Sequence, residues 1–523
     1  MRNTLAENRK VGFSAEDNVN SFFDTEHLKA DLKGRSVRGG AITVFSQGCK
    51  FVLQTGSTVV LARLLTPADF GLIAMVTAVT GFAMVFRSLG LSTATVQKAE
   101  INHDQISTLF WINVGLGVLV AVIVVALAPA VAWFYDDPRL TPVTMALGVT
   151  FLFGGLTVQH QAMLLRHMRF FAMGMVEIVS MVVGVVAAII AGVFGASYWS
   201  LVIMYVTMAA TAAVGVWTAL PWLPGRPRRR SGVREMLGFG GNITGFNIVN
   251  YFARNADNIL IGKFVGAAAL GFYSKAYGLL MLPIRQIRGP INMVAIPVMS
   301  RLQQVPERFC DYYGKLVFVT AFIGMPLICL LAVCANEVIF LVLGPQWSPA
   351  APIFQVLAVS ALIQLVGHSW GVVLVALGKS RRYLNLGLLN AIVICAAFLL
   401  GIYWGAFFVA AAYAAANAAV LFPILHIAFK GTPVSIKNFL RAVTMPFIAS
   451  IVLLVSAVTV KSITSGQSGI VIIGLTTLAG IASYTCAFLL VPRGLKKLIW
   501  MWGLTATVFK KKPKHESLLS LKK

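Results

Sequence analysis

A chain of 523 residues that is 58% hydrophobic and only 12% charged is built largely for lipid, because soluble domains average about 25% charged residues. Its formal charge of +25 would suit a nucleic-acid binder. The basic residues instead collect in loops on one side of a series of apolar segments, the positive-inside pattern of a membrane protein, which leaves nucleic acid no role as a partner.

Residues 1–38 are polar, carry both signs of charge and show neither a basic-then-apolar start nor a small-residue cleavage site. They read as a cytoplasmic N-terminal extension rather than a signal peptide. From Gly39 onward, apolar segments of spanning length follow one another with short connections. The spacing predicts an all-α polytopic membrane protein of about fourteen transmembrane helices, near residues 39–62, 70–91, 108–132, 142–160, 172–193, 199–220, 240–264, 269–298, 316–335, 350–377, 386–402, 406–429, 442–460 and 469–491. Basic clusters near 166–169, 226–234, 301–315, 379–382, 430–441 and 493–523 fall on the side of the N-terminus, and the opposite loops are short. An even number of spans with both termini cytoplasmic satisfies that distribution, and attraction to anionic membrane lipids is a second implication.

The Pro- and Arg-rich stretch 223–239 reads as a basic cytoplasmic linker. It separates an N-lobe of six helices (39–222) from a C-lobe of six (240–430), which is followed by two more helices (431–491) and a basic cytoplasmic tail (492–523). An internal repeat supports the two lobes. LARLLTPADFGLIAMV from Leu61 resembles IGKFVGAAALGFYSKA from Ile261, an offset of 200 that pairs Ala62 with Gly262, Arg63 with Lys263, Ala68 with Ala268 and Gly71 with Gly271. A second echo matches AVAWFYDDPRLTP, after the third span, with EVIFLVLGPQWSP, after the ninth. Both copies enter the membrane from the same side, as in parallel-repeat transporters whose site lies between the halves.

Polar residues inside the spans are the candidates for chemistry. A charge at mid-membrane costs roughly 2.5–3.5 kcal/mol on insertion scales, so such groups tend to face a bundle interior or a wet cavity. In the seventh span Asn247, Asn250, Arg254 and either Asp257 or Asn258 recur at helical spacing. In the eighth, Arg285, Arg288 and Asn292 do the same. Lys50 shares a stripe of the first span with Thr43, Ser46, Gln54 and Ser57, and the repeat aligns it with Asn250. Arg254 and Asp257 are close enough to form a mutual ion pair. Beyond that pair cations outnumber acids, chiefly Asp257 with Glu177 near the inner face. A net-positive cavity formed by Lys50, Arg254, Arg285 and Arg288 suits a phosphate or diphosphate, with Asp257 and Asn250 as orienting or coupling groups.

Other features have blander readings. Lys263 and Lys275 lie near the external end and read as snorkelling to headgroups, as Arg87 does at the inner end. His368, with Gln364 and Trp370, makes a polar patch in the tenth span that reads as packing before it reads as a proton relay. Pro283, Pro290 and Pro297 should bend the eighth span. The six cysteines are scattered without CxxC or Cys/His spacing, so neither a metal site nor a cofactor is expected. There is no P-loop, nucleophile elbow or HExxH, and no catalytic residues are assigned.

LARLLTPADFGLIAMV, RSLGLSTATVQKAEI followed by LFWINVGLG, and RNADNILIGKFVGAAALGFYSKAYGLLMLPI together with FLVLGPQWSPAAP resemble the Wzx-type flippases. These form part of the polysaccharide transporter branch of the multidrug/oligosaccharidyl-lipid/polysaccharide exporter superfamily, and the likeness to its colanic-acid-type exporters runs from about Ser36 to about Val491. The resemblance implies two six-helix lobes around a central cationic cavity in a bacterial inner membrane. It implies that undecaprenyl-diphosphate-linked oligosaccharide units are flipped for exopolysaccharide, capsule or O-antigen-type synthesis. It implies alternating access driven by an ion gradient, H+ or Na+, and a polysaccharide polymerase or export machinery as partners. Of the site residues, only Arg254 and Asp257 sit on a motif of the resemblance. A cation-coupled drug exporter of the same superfamily is the first alternative, disfavoured because such carriers use acidic cavities. A membrane polysaccharide polymerase is the second, disfavoured by the short external loops.

Overall fold

In hydrocarbon every backbone N–H and C=O must find its partner inside the segment, so apolar runs of this length can only coil. The computed structural model, which describes residues 32–82, 95–96, 101–227, 251, 254–490 and 495, bears this out. Its helices are α1 (Leu32–Leu64), α2 (Pro67–Thr80), α3 (His103–Tyr135), α4 (Leu140–Arg166), α5 (Phe170–Val193), α6 (Trp199–Ala219), α7 (Ala267–Arg301) and α8 (Pro306–Val333). They continue as α9 (Ala335–Val342), α10 (Ala350–Gly367), α11 (Ser369–Ala376), α12 (Ser380–Gly401), α13 (Ala406–Phe429), α14 (Ile436–Ile463) and α15 (Gly469–Leu490). Residues 254–264 are also helical. Among the described residues, 11 helices are long and apolar enough to cross a membrane, and each falls on an expected span. The remaining expected spans are the first, which corresponds to α1, and the second and seventh, which the described residues cover only in part. Asn247, Asn250 and Arg87 lie outside the described residues, as do nearly all of the extension, the linker beyond residue 227 and the tail.

Local chemistry sets several helix starts. Thr66 and Asp69 form a reciprocal capping box at α2, with Pro67 in the first turn, and Asn102 and Gln105 form another at α3. Each satisfies two of the donors a helix start leaves open. The Asp69 carboxylate also accepts from Ser197 Oγ, which fastens the α5–α6 turn to α2.

The chain divides into two units. The first comprises Met1–Lys275, Val342–Pro349 and Cys395–Val409; the second comprises Ala276–Leu341, Ala350–Ile394 and Ala410–Lys523. In the first unit the start of the linker is clasped to α3 and α4. Trp222 donates to His103 Nδ1 at 3.2 Å, Gly225 N–H donates to Ser107 Oγ at 2.9 Å, and Trp111 donates to the Gly225 carbonyl at 2.8 Å. His160 stacks on Trp217 beneath them at 4.4 Å between ring centroids. In the second unit α14 and α15 pack against α8. Tyr484 bonds the Phe322 carbonyl at 3.0 Å, and Lys461 bonds Glu337 at 2.8 Å and the Val333 carbonyl at 2.7 Å.

The repeat has a structural counterpart. A Cβ on Gly71 would lie 1.7 Å from the Ala267 carbonyl oxygen, and one on Gly271 would lie 1.9 Å from that of Pro67. Gly71 and Gly271 are one pair of the 200-residue repeat, and Pro67 and Ala267 are another. The α1–α2 hairpin therefore meets the 261–275 hairpin about a local two-fold, each glycine under the other's backbone. Only a residue without Cβ permits that approach.

Candidate functional site

The polar stripe expected in the eighth span lies on α7, in the second unit. Arg288 is half-buried and Arg285 is exposed. Arg288 and Asn292, one turn apart, line a common cavity with Thr320 of α8 and with His368 and Ser369. The cavity holds about 20 Å³, room for a single water molecule.

Its far wall is a break in the tenth span. α10 stops at Gly367 and α11 begins at Ser369, with His368 as the turn between them. Interrupted helices expose backbone groups at membrane depth, and transporters place such breaks where a polar ligand or water can satisfy them. Arg288 Nη1 lies 3.5 Å from His368 Nδ1, at the long limit of a hydrogen bond, with the guanidinium donating. Tyr313 Oη and Ser369 Oγ are bonded at 2.9 Å. On its other side His368 borders a second water-sized cavity of about 20 Å³, whose walls include Gln364, Trp370, Asn390 and Asn417. Ser360 Oγ receives both the Gln364 amide at 2.8 Å and the Asn417 amide at 3.2 Å. The imidazole is thus the hub of two polar chambers, where sequence reading made it packing first. The patch of Gln364, His368 and Trp370 was visible in the sequence; the convergence of α7 upon it was not.

Lys50, Arg254 and Asp257 lie in the first unit. Lys50 Nζ reaches Glu177 Oε2 at 2.5 Å, so this cation has its own acid, supplied by a helix 127 residues away. Arg254 is exposed. Asp257 is buried and accepts from Tyr273 Oη at 2.9 Å and from the Asn258 N–H at 2.8 Å. Those bonds leave the Asp257 carboxylate oriented by Tyr273 rather than by Arg254.

Lys263 and Lys275, read as snorkelling groups, also have protein partners. Lys263 pairs with Asp136 at 2.5 Å. Lys275 sits 3.8 Å above the centre of the Phe70 ring, a cation–π contact.

Among the described residues the protein is helical, with a two-fold repeat, a broken spanning helix and an arginine at the break. The same fold is found among solved structures. The structure is similar to the lipid II flippase MurJ in its inward closed conformation (TM-score 0.68, 12% identity, covering 86% of this chain and 98% of MurJ). It is also similar to an inward-facing multidrug MATE transporter of the MOP superfamily (TM-score 0.57, 12% identity, covering 76% and 94%). Within that fold the chain belongs to the family described as polysaccharide biosynthesis protein, which matches residues 60–352. Its relatives include the lipopolysaccharide biosynthesis protein WzxC of Escherichia coli, 27% identical over 61% of this chain and 65% of WzxC, so just under two thirds of WzxC is spanned. They also include the teichuronic acid biosynthesis protein TuaB of Bacillus subtilis, 27% identical over 65% and 71%, and the succinoglycan biosynthesis transport protein ExoT of Rhizobium meliloti, 23% identical over 61% and 64%. The resemblance to Wzx-type transporters read from the sequence motifs therefore holds.

Proposed function

We propose that this protein flips undecaprenyl-diphosphate-linked oligosaccharide units from the cytoplasmic to the outer leaflet of a bacterial inner membrane, for synthesis of a surface polysaccharide. The observation that carries the reading is Arg288 beside His368 at the break between α10 and α11. A guanidinium offers a planar fork of donors that suits phosphate oxygens, and the Ser369 hydroxyl at the start of α11 lies in the same cavity. The surrounding Asn292, Ser369 and Thr320 are neutral donors and acceptors, as a polar headgroup requires.

In this mechanism the diphosphate is drawn to Arg288 and Arg285, while the polyprenyl tail stays in the bilayer. A water-sized cavity does not admit a diphosphate, so binding requires α7 to part from the α10–α11 turn. Arg254, exposed in the first unit, is proposed as an anion contact of that unit by itself. Lys50, already neutralised by Glu177, contributes least. Asp257, buried against Tyr273, is an acid proposed to respond to a coupling H+ or Na+, and Asn250, which the sequence reading paired with it in that role, lies outside the described residues. The lipid-linked substrates of MurJ and the succinoglycan transport of ExoT support the class of cargo, and the arginine at the break argues against a carrier of organic cations.

The test is removal of the protein from its host, with lipid-linked oligosaccharide measured on each leaflet. Accumulation on the cytoplasmic side together with loss of surface polysaccharide is expected. Single repeat units still reaching the outer leaflet would assign the protein to polymerisation instead.

A further inference from the structure

Glycines are not all that joins the two hairpins of the first unit. The turn that follows α9, Pro345–Trp347, is the second-copy equivalent of the turn that follows α3, by the match of Pro138 with Pro345. Each of these turns is fastened to the hairpin of the other copy. Asp136, after α3, holds Lys263 of the second hairpin. Gln346 and Trp347, after α9, hold the first hairpin. The Ala62 carbonyl receives Gln346 Nε2 at 2.6 Å and Trp347 Nε1 at 2.8 Å, and the Leu65 carbonyl receives Gln346 Nε2 at 3.0 Å.

The two fastenings are unequal. The Lys263–Asp136 pair is open to solvent, with side chains 26% and 77% exposed, and ion pairs of that kind hold little. Trp347 is fully buried. Its indole N–H is spent on the first hairpin, and its ring meets Phe70 of the first hairpin at 5.5 Å and Phe272 of the second at 6.0 Å, both edge-on. One side chain therefore grips both repeats at the point where they cross. The turn that aims it departs from Gly344, whose φ of 105° other residues rarely adopt.

We propose that Trp347 is the keystone of a lock on the weakly basic, external face. With the indole seated the hairpins stay crossed; the face opens to the outside only when the Pro345–Trp347 turn withdraws. Trp347 is a positioning residue, acting through the hairpins and not on cargo. The proposal rests on the flippase reading for the direction of traffic alone, since the lock itself is measurable without substrate.

The experiment places a single cysteine at Ala68, half-buried in the first hairpin. A membrane-impermeant maleimide reads it on right-side-out vesicles, with labelling of the native cysteines subtracted. Trp347→Phe keeps a smaller aromatic ring and removes the N–H; losing one hydrogen bond should raise the labelling rate roughly 5-fold. Trp347→Ala also removes both ring contacts and should raise it roughly 10-fold or more. Lys263→Met should change it by less than about 3-fold, as an exposed pair allows. Thermal unfolding within a few degrees of the parent separates an opened lock from a damaged fold. Unchanged labelling in a stably folded Trp347→Ala protein overturns the proposal, as does Lys263→Met opening the face equally. Faster labelling with no effect on polysaccharide output would sink the flippase reading and leave the lock standing.

Discussion

The hairpin crossing in the first unit and the Arg288 chamber in the second solve opposite problems. At the crossing, backbone touches backbone. Glycines at 71 and 271 bring carbonyls to distances no side chain tolerates, and the surrounding groups, Trp347, Phe70 and Phe272, are aromatic and dry. At the chamber a helix is broken, five polar side chains face a water-sized void, and a guanidinium stands against an imidazole. Close packing resists partial separation, because interiors at this density exchange between discrete arrangements rather than deforming continuously. A polar chamber around a water-sized void can exchange partners with little rearrangement. Under the two proposals above, the contrast would be a division of labour, one region setting when the protein is closed and the other what it holds.

The largest test of that division is at the glycines. Gly71→Val or Gly271→Val drives a branched side chain into a backbone carbonyl, and each should cost about 3 kcal/mol or more, the top of the overpacking range. Thermal unfolding in detergent reads this, and the two-fold predicts similar losses at both sites. Markedly unequal losses would break the symmetry argument. Next comes Arg288→Ala, which should leave unfolding near that of the parent. Loss of a charged hydrogen bond of about 1.5–3 kcal/mol should reduce transport roughly 10- to 100-fold; delivery of lipid-linked oligosaccharide to the outer leaflet is the measurement.

A smaller effect separates Lys50 from the chamber. If Glu177 is its partner, Lys50→Met alone should impair stability by up to about 1 kcal/mol, since both groups are partly exposed. Joining it with Glu177→Gln should return most of the loss in a double-mutant cycle. A cation that bound cargo would instead show no rescue of transport. The smallest effect lies in the loop between α3 and α4. The Arg139 side chain, bonded to Asp137 at 2.8 Å, holds that carboxyl below its ordinary value of 3.8. A depressed carboxyl stabilises the fold above pH 3.8 and loses that contribution as pH falls through its lowered value. Arg139→Gln should therefore flatten the acid limb of a stability-against-pH curve by a few tenths of a kcal/mol, little because the arginine is exposed.

Much of the architecture could be read from the chain because its signals are local. Span length and loop charge are written within a few residues, and the repeat needs only a comparison of two short strings. Gly71 and Gly271 stood out as a matched pair before their reciprocal contacts with Ala267 and Pro67 were visible. Pairings at long range were beyond such reading. Lys50 looked like a free cation because nothing local marks Glu177, 127 residues away, as its partner. The Arg254–Asp257 spacing suggested a pair, but Tyr273 approaches from the next helix and takes the carboxylate. Arg288 was singled out by charge, whereas His368 was demoted because its significance depends on a neighbour 80 positions earlier. Trp347 carried no charge and so drew no attention, although the repeated turn that contains it did.

The clasp on the linker bears on how the protein is made. Trp222 and Gly225 bind groups of α3 that precede them in the chain, so this clasp can form while the second half is still on the ribosome. The hairpin crossing has to wait for residues 267–271, and its keystone emerges 285 positions after the Ala62 carbonyl it must find. At elongation rates of about 5–20 residues per second that is a delay of roughly 15–60 s. For most of it the first hairpin has neither its cross-partner nor its tryptophan, and to the end it lacks the tryptophan, leaving the edge of a half-built protein exposed in the bilayer. That interval is when an insertase or a neighbouring chain has its opportunity to engage it.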